Sequence, residues 1–375
     1  MRGSGTGHGH TEVVLLPTEK TLGLHEIVVH QALARQLAQL LGAEFTGTFE
    51  ATRHQDRRLY FVPSDTLVDP QRARHLHIRS AEDLFGGVVS EPFMATKAIS
   101  HALLAQAQAR PAGWSEAFHA QAGDAVLAGF SAFSAADAHL AGQQLLAKGP
   151  VRIKPVRATA GRGQVVARTA DELAAALAEQ DFAEVARWGL VIEQDLHEVI
   201  TYSVGQVSVA GHVASYHGTQ GLTRDNQGAT VYGGSCLWIV RGGFQELLDQ
   251  SLPAPVRRAV QQAIAYDQAA RACLPGFMAS RRNYDIAQGV NARGQRCSGV
   301  LEQSWRIGGA SAAEIHALLA LAADPALSRL CVSTHEVYGR DAPLPAHAHV
   351  LYEGDDPQLG FLRKYIQVQP YDCKQ

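Results

Sequence analysis

A chain of 375 residues with a formal net charge of −3 is too long for one ordinary core, and too evenly charged to be drawn to nucleic acid by a general electrostatic footprint. Its five cysteines show no CxxC spacing, which excludes a disulfide framework or a structural zinc site and suits reduced thiols. No segment approaches the roughly 18 apolar residues of a membrane span, and the N-terminus lacks a signal-peptide core. These features predict a cytoplasmic protein of two or three lobes, acting on small molecules and on neither nucleic acid nor membrane.

Residues 1–11, rich in Gly and His with nothing to bury, predict a disordered leader. Val13 to Pro17 reads as a buried strand, and Leu24 to Leu41 carries apolar residues at helical spacing up to Gly42. Leu59 to Pro63 is a second strand, followed by a capping signature at Ser80 and Asp83. Residues 12–95 thus form a small α/β domain. A helix is expected from Lys97 to Gln108, and another from Ser134 to about Leu146. Then come a strand (Val151 to Val156), a glycine loop, a strand (Val165 to Arg168), a capped helix from Thr169 and a strand (Gly189 to Gln194). Thr201 to Tyr216 alternates in β fashion around a turn at Gly211. Helices return at Phe244 to Gln250, Pro255 to Ala272 and Ser311 to Ala323. The tail holds strand-like pieces at Val332 to Val337, His349 to Tyr352 and Tyr365 to Val368.

Between the last two of those helices, Tyr284 to Val290 and Cys297 to Gln303 flank the polar turn Asn291-Ala292-Arg293-Gly294-Gln295, a hairpin pattern. A loop of two or four residues places Asp285 opposite Glu302 and Asn283 opposite Ser304, all four on one face. A three-residue loop shifts the register by one and dissolves the pairing. Like charges directly opposed in a sheet repel, and an oxygen-bound divalent cation would compensate them. A solvated hairpin carrying two unrelated acids is the other reading of the same residues.

Val151-Arg152-Ile153-Lys154-Pro155 ends a strand with lysine, and Arg157 to Gln164 follows it with small residues around Gly161-Arg162-Gly163. Glycines let backbone N–H groups approach phosphate oxygens, and a flanking lysine adds charge. A plain hairpin turn would use the same residues. Neither the Walker A spacing nor a Rossmann fingerprint is present. Lysine itself is scarce, six of the 33 basic residues, so Lys97 and Lys154 stand out.

In chain order, Lys97, Lys154 before the glycine loop, the strand end Val191-Ile192-Glu193-Gln194, Glu198, Asp285 and Glu302-x-Ser304-x-Arg306 resemble the ATP-grasp superfamily. The likeness spans roughly residues 90–310. More narrowly, Arg282 to Val290 and Leu301 to Gly309 are similar to an uncharacterised bacterial family of ATP-grasp-like proteins. The resemblance implies an α/β (α+β) ATP-grasp fold: the small N-terminal α/β domain, a lid lobe over residues 96–195 carrying the glycine loop, and a metal-binding large lobe over residues 196–375.

It also implies ATP and Mg2+. Lys97 and Lys154 would contact phosphates, Gly161, Arg162 and Gly163 would form the lid loop, Glu193 would mark the adenine strand and Glu198 would hold ribose. Asp285 and Glu302 would ligate magnesium, and Arg306 would stabilise the transferred phosphoryl group. Ser304 stands where that family usually has Asn, and Asn283, opposite it, is the residue that would replace the missing amide oxygen. The activity implied is an ATP- and Mg-dependent ligase joining a carboxylate to an amine through an acyl phosphate, with Lys154 and Arg306 as its catalytic cations. A small-molecule kinase and a non-catalytic nucleotide-binding protein are the alternatives. Arg224 and Arg241 are the expected carboxylate-binding residues, since Arg offers a bidentate fork. Oligomeric state is open, a homodimer included.

Overall fold

The computed structural model describes residues 9–19, 21–157 and 163–371. An N-terminal parallel sheet places strand Glu12–Leu16 between Glu44–Thr48 and Leu59–Pro63. The crossover helix Leu24–Leu41 buries Leu33, Ala34, Leu37 and Ala38 at the expected spacing and ends at Gly42, whose φ of 64° is the left-handed cap glycine tolerates. The leader is already anchored before residue 12. Thr11 N–H donates to the Arg58 carbonyl, and His10 pairs with Asp83 at 3.1 Å, so the expected disorder does not extend over residues 9–11.

A four-stranded antiparallel sheet forms a second lobe, where the lid was expected, in the order Gly129–Ala132, Leu190–Gln194, Val151–Pro155, Val165–Ala167. Helices Ala135–Leu146 and Ala170–Ala178 pack on it around a separate core that includes Leu145, Ile153, Leu173 and Ile192.

The large lobe is one eight-stranded antiparallel sheet. Its strands run Arg296–Ser304, Arg281–Val290, His197–Val209, His212–Arg224, Thr230–Arg241, Arg329–Tyr338, Gly360–Gln369 and His349–Asp356. The tail strands therefore extend the same sheet as the hairpin of Asp285 and Glu302. One face is covered by helix Ser311–Ala323 together with the N-terminal helix, and the other by helix Ala254–Cys273. Val13, Leu33 and Tyr60 share a core with Tyr216, Ile239 and Leu318, so the N-terminal unit is packed onto the large lobe. No helix among the described residues is long and apolar enough to cross a membrane.

The expected helix Lys97–Gln108 is a correction. Only Lys97–Ile99 is helical, as a short 3-10 segment capped by Thr96, and a single turn follows at residues 104–107. The rest is drawn out because its backbone groups find partners in the second lobe. The Ala98 and Ala102 carbonyls accept from the Ser131 hydroxyl and N–H, and the Gln108 and Ala109 N–H groups donate to Asp137. Tertiary hydrogen bonds override the helical propensity of the alanines here.

Candidate active site

The hairpin turn closes with Asn291 N–H donating to the Gln295 carbonyl at 3.0 Å, while the Asn291 side chain accepts from the Arg293 and Gln295 N–H groups. From Val290↔Arg296 to Ile286↔Val300 the register is the shifted one. Leu301 then bulges out, and beyond it Asp285 pairs with Glu302 and Asn283 with Ser304. The expected pairing is present, though by a bulge rather than by the expected loop length.

Because strand His197–Val209 continues the sheet, Ser203 lies beside Asp285. Its hydroxyl donates to Asp285 at 3.0 Å and accepts from the Asn283 amide at 2.7 Å. Burial, and then the facing charge of Glu302, push the Asp285 carboxyl up to about 6. Glu302 moves the other way. Burial opposes its ionisation, but Lys97, with Nζ 2.7 Å from Oε2, then Arg306 and Lys154 outweigh it. Glu302 keeps 39% of its side chain exposed, so solvent screens part of that field.

A third carboxylate anchors the side of the four-stranded sheet. Glu193, only 2% exposed, is paired with Lys154 and with His101 Nε2 at 3.0 Å. Burial alone would raise its pKa, yet the Lys154 ammonium and the His101 contact hold it down at about 2. Between this cluster and the hairpin lies a cleft of about 210 Å³. Leu127, Leu196, Ala287 and Leu301 make its walls apolar, and Lys154 and Arg152 supply cations at its edge. Gly299 lets the lobes meet here, since a Cβ on it would lie 2.5 Å from the Leu127 nitrogen. A larger groove of about 550 Å³ on the outer face of the helices of the second lobe is lined by residues such as Leu140 and Phe182, with His139 its one titratable group. No Asp, Glu, Lys or Arg lines it.

The structure therefore brings Lys97, Lys154, Glu193, Asp285, Glu302 and Arg306 into one charged neighbourhood. Arg306 Nε lies 3.4 Å from Asp65 of the N-terminal unit. Glu198 is exposed at the start of its strand with φ 52°, next to Val199 of the cleft lining. Gly163 has φ 68°, whereas Gly161 and Arg162 lie outside the described residues.

Two expectations need correcting. Arg224 donates to the Gly228 carbonyl at 2.7 Å within its own turn, and Arg241 donates to the Leu321, Asp324 and Leu327 carbonyls at the end of helix Ser311–Ala323. The Arg241 fork is tied to backbone, Arg224 spends one nitrogen within its own exposed turn, and neither residue lines the cleft. His101, Ser203 and Asp65 are the partners that the sequence reading passed over. Ser203 was recoverable by extending the strand count one neighbour further, but nothing local marks His101 or Asp65.

A family model described as a protein of unknown function, DUF3182, matches residues 13–366. The chain belongs to the DUF3182 family. No curated protein matches this DUF3182 chain. Among solved structures it is similar to biotin carboxylase from Campylobacter jejuni in a β,γ-ATP complex, with TM-score 0.52 and 12% identity over 96% of this chain and 88% of that one. It is equally similar, with TM-score 0.52 and 13% identity over 97% and 87%, to the biotin carboxylase domain of Hydrogenobacter thermophilus 2-oxoglutarate carboxylase, solved with MgADP, ADP and bicarbonate. This DUF3182 protein has the ATP-grasp fold, with the mixed α/β make-up expected.

Proposed function

We propose that this protein is an ATP- and Mg2+-dependent ligase that activates a carboxylate as an acyl phosphate and passes the acyl group to an amine. The observation that carries the reading is an apolar slot lined by buried Lys154 and Glu193, whose Lys154 also acts on Glu302, the carboxylate that opposes Asp285 and holds the second buried lysine, Lys97. The slot suits a purine ring, with Glu193 beside it and Glu198 near its mouth for the ribose.

The donor set fits magnesium. Asp285 and Glu302 are directly opposed, and the described residues contain no cluster of three or more His, Cys, Asp or Glu that would mark a richer metal cage. One or two carboxylates completed by phosphate oxygens is the usual magnesium environment. When bound, the ion would neutralise charge between the phosphates and these two acids.

The remaining work falls to the chain itself. Lys154, fixed by Glu193, and Lys97, now on Glu302, would offset charge on phosphoryl oxygens, together with Arg306, whose charge also acts on Glu302. Incubating the protein with Mg-ATP and a metabolite extract tests the reading. A carboxylate and an amine consumed together with ADP release support it, whereas a phosphorylated product released intact marks a kinase and overturns the ligase step.

A further inference from the structure

The sheet face that carries Asp285 and Glu302 holds a third charged centre that this chemistry leaves unused. Arg281 lies four residues before Asp285 on the same strand and points to the same side. It is 1% exposed, and its Nε donates to both oxygens of Glu314, at 3.1 and 2.9 Å. Glu314 is itself fully buried and also accepts from the Tyr216 hydroxyl. Gly205 makes room for that tyrosine, since a Cβ there would sit 2.3 Å from its hydroxyl oxygen.

The other end of the guanidinium is the informative one. Arg281 Nη1 is met by Ser304 Oγ at 2.9 Å, the Ser304 carbonyl at 3.0 Å and the Arg306 carbonyl at 2.7 Å. Three oxygens converge on one positively charged nitrogen, as ligands converge on a hard cation. A guanidinium does not deprotonate in proteins, so this charge is permanent. Any divalent ion using the Ser304 hydroxyl would have to share that oxygen with Nη1 or displace it, and would remain beside a fixed positive charge that two backbone carbonyls hold in place.

We propose that Arg281 is a built-in cation of this site: the protein takes a single divalent ion, between Asp285 and Glu302, and Ser304 serves Arg281 rather than metal. Arg281 is thus a positioning residue, holding the Ser304–Arg306 segment where a second ion would otherwise hold it. The inference rests on the nucleotide and metal reading given above, and it deepens that reading.

The test counts Mn2+ bound per chain, from the electron paramagnetic resonance signal of free Mn2+, at saturating β,γ-methylene-ATP. One ion per chain is expected. Two ions on the native chain would overturn the one-ion inference while leaving the nucleotide reading intact. If neither Mn2+ nor the analogue binds, the nucleotide reading fails and the inference falls with it. Ser304→Ala should leave Mn2+ affinity unchanged, and a loss of about tenfold or more would make Ser304 a ligand. In the triple variant Arg281→Met, Glu314→Gln, Ser304→Asn, with its fold checked by circular dichroism, the count should rise to two. A count that stays at one would show that Arg281 is not what excludes the second ion.

Discussion

Glu302 stands opposite Asp285 because Leu301 is left out of the ladder between them and the turn. Without the bulge, the odd-length turn would set Leu301 against Asp285 and send Glu302 to the other face. A bulge that restores the pairing of two like charges keeps a repulsion that a simple hairpin would have avoided. Asp285→Asn should therefore stabilise the nucleotide-free protein by about 0.5–1 kcal/mol, read as a raised urea midpoint at neutral pH. The same substitution should abolish Mg-dependent binding of ATP. A variant that is less stable and still binds Mg-ATP would remove both the repulsion and the metal role.

Glu193 gives a pH-dependent test on the side of the four-stranded sheet. Its carboxyl is held at about 2, below the ordinary 4.5, so its ionised form stabilises the fold. That contribution is fully present above pH 4.5 and is lost as pH falls through 2. Glu193→Gln also leaves the Lys154 ammonium buried without its carboxylate. The variant should lose about 3 kcal/mol at pH 7, measured by urea unfolding. Its gap to the native protein should narrow steadily between pH 4.5 and 2, where the native Glu193 is itself half protonated. Unfolding curves that stay parallel over this range would mean that the pair with Lys154 contributes nothing.

Legibility in the sequence followed the range of the interactions. The helix Leu24–Leu41, the strands of the four-stranded sheet and the hairpin of Asp285 and Glu302 were readable because periodicity and turn residues are local signals. Lys97 and Lys154 were conspicuous through scarcity alone. The stretch after Lys97 misled because its alanines and glutamines favour helix, while the partners that unwind it, Ser131 and Asp137, lie some 30 residues on. Arg241 read as a substrate fork because an arginine's partners are invisible in one dimension; here they are carbonyls about 80 residues away. The joining of the tail strands to the hairpin sheet left no local trace at all, since an antiparallel edge accepts any strand whose pattern fits.

Arg241 now carries the opposite expectation from its sequence reading. Its four hydrogen bonds close the end of helix Ser311–Ala323 and the loop behind it. Arg241→Ala should cost about 1–3 kcal/mol of stability through the carbonyls left unpaired. Nucleotide affinity and the acceptor KM should not change. An acceptor KM raised at constant stability would restore Arg241 to the substrate site.

Ala287 decides whether the apolar slot is where the base binds. It is 2% exposed, sits two residues beyond Asp285 and shares the cleft wall with Leu127, Leu196 and Leu301. A cleft of about 210 Å³ has little space to lose. Ala287→Trp should therefore fill much of the slot, at an overpacking cost of about 1–3 kcal/mol. Mg-ATP affinity should fall at least 100-fold, about 2.7 kcal/mol, while inorganic triphosphate, which needs only the lysines and the carboxylate pair, should bind as before. Calorimetry with both ligands separates the outcomes. Equal losses for ATP and triphosphate would mean that tryptophan had disturbed the charged end, and an unchanged ATP affinity would place the base outside this slot.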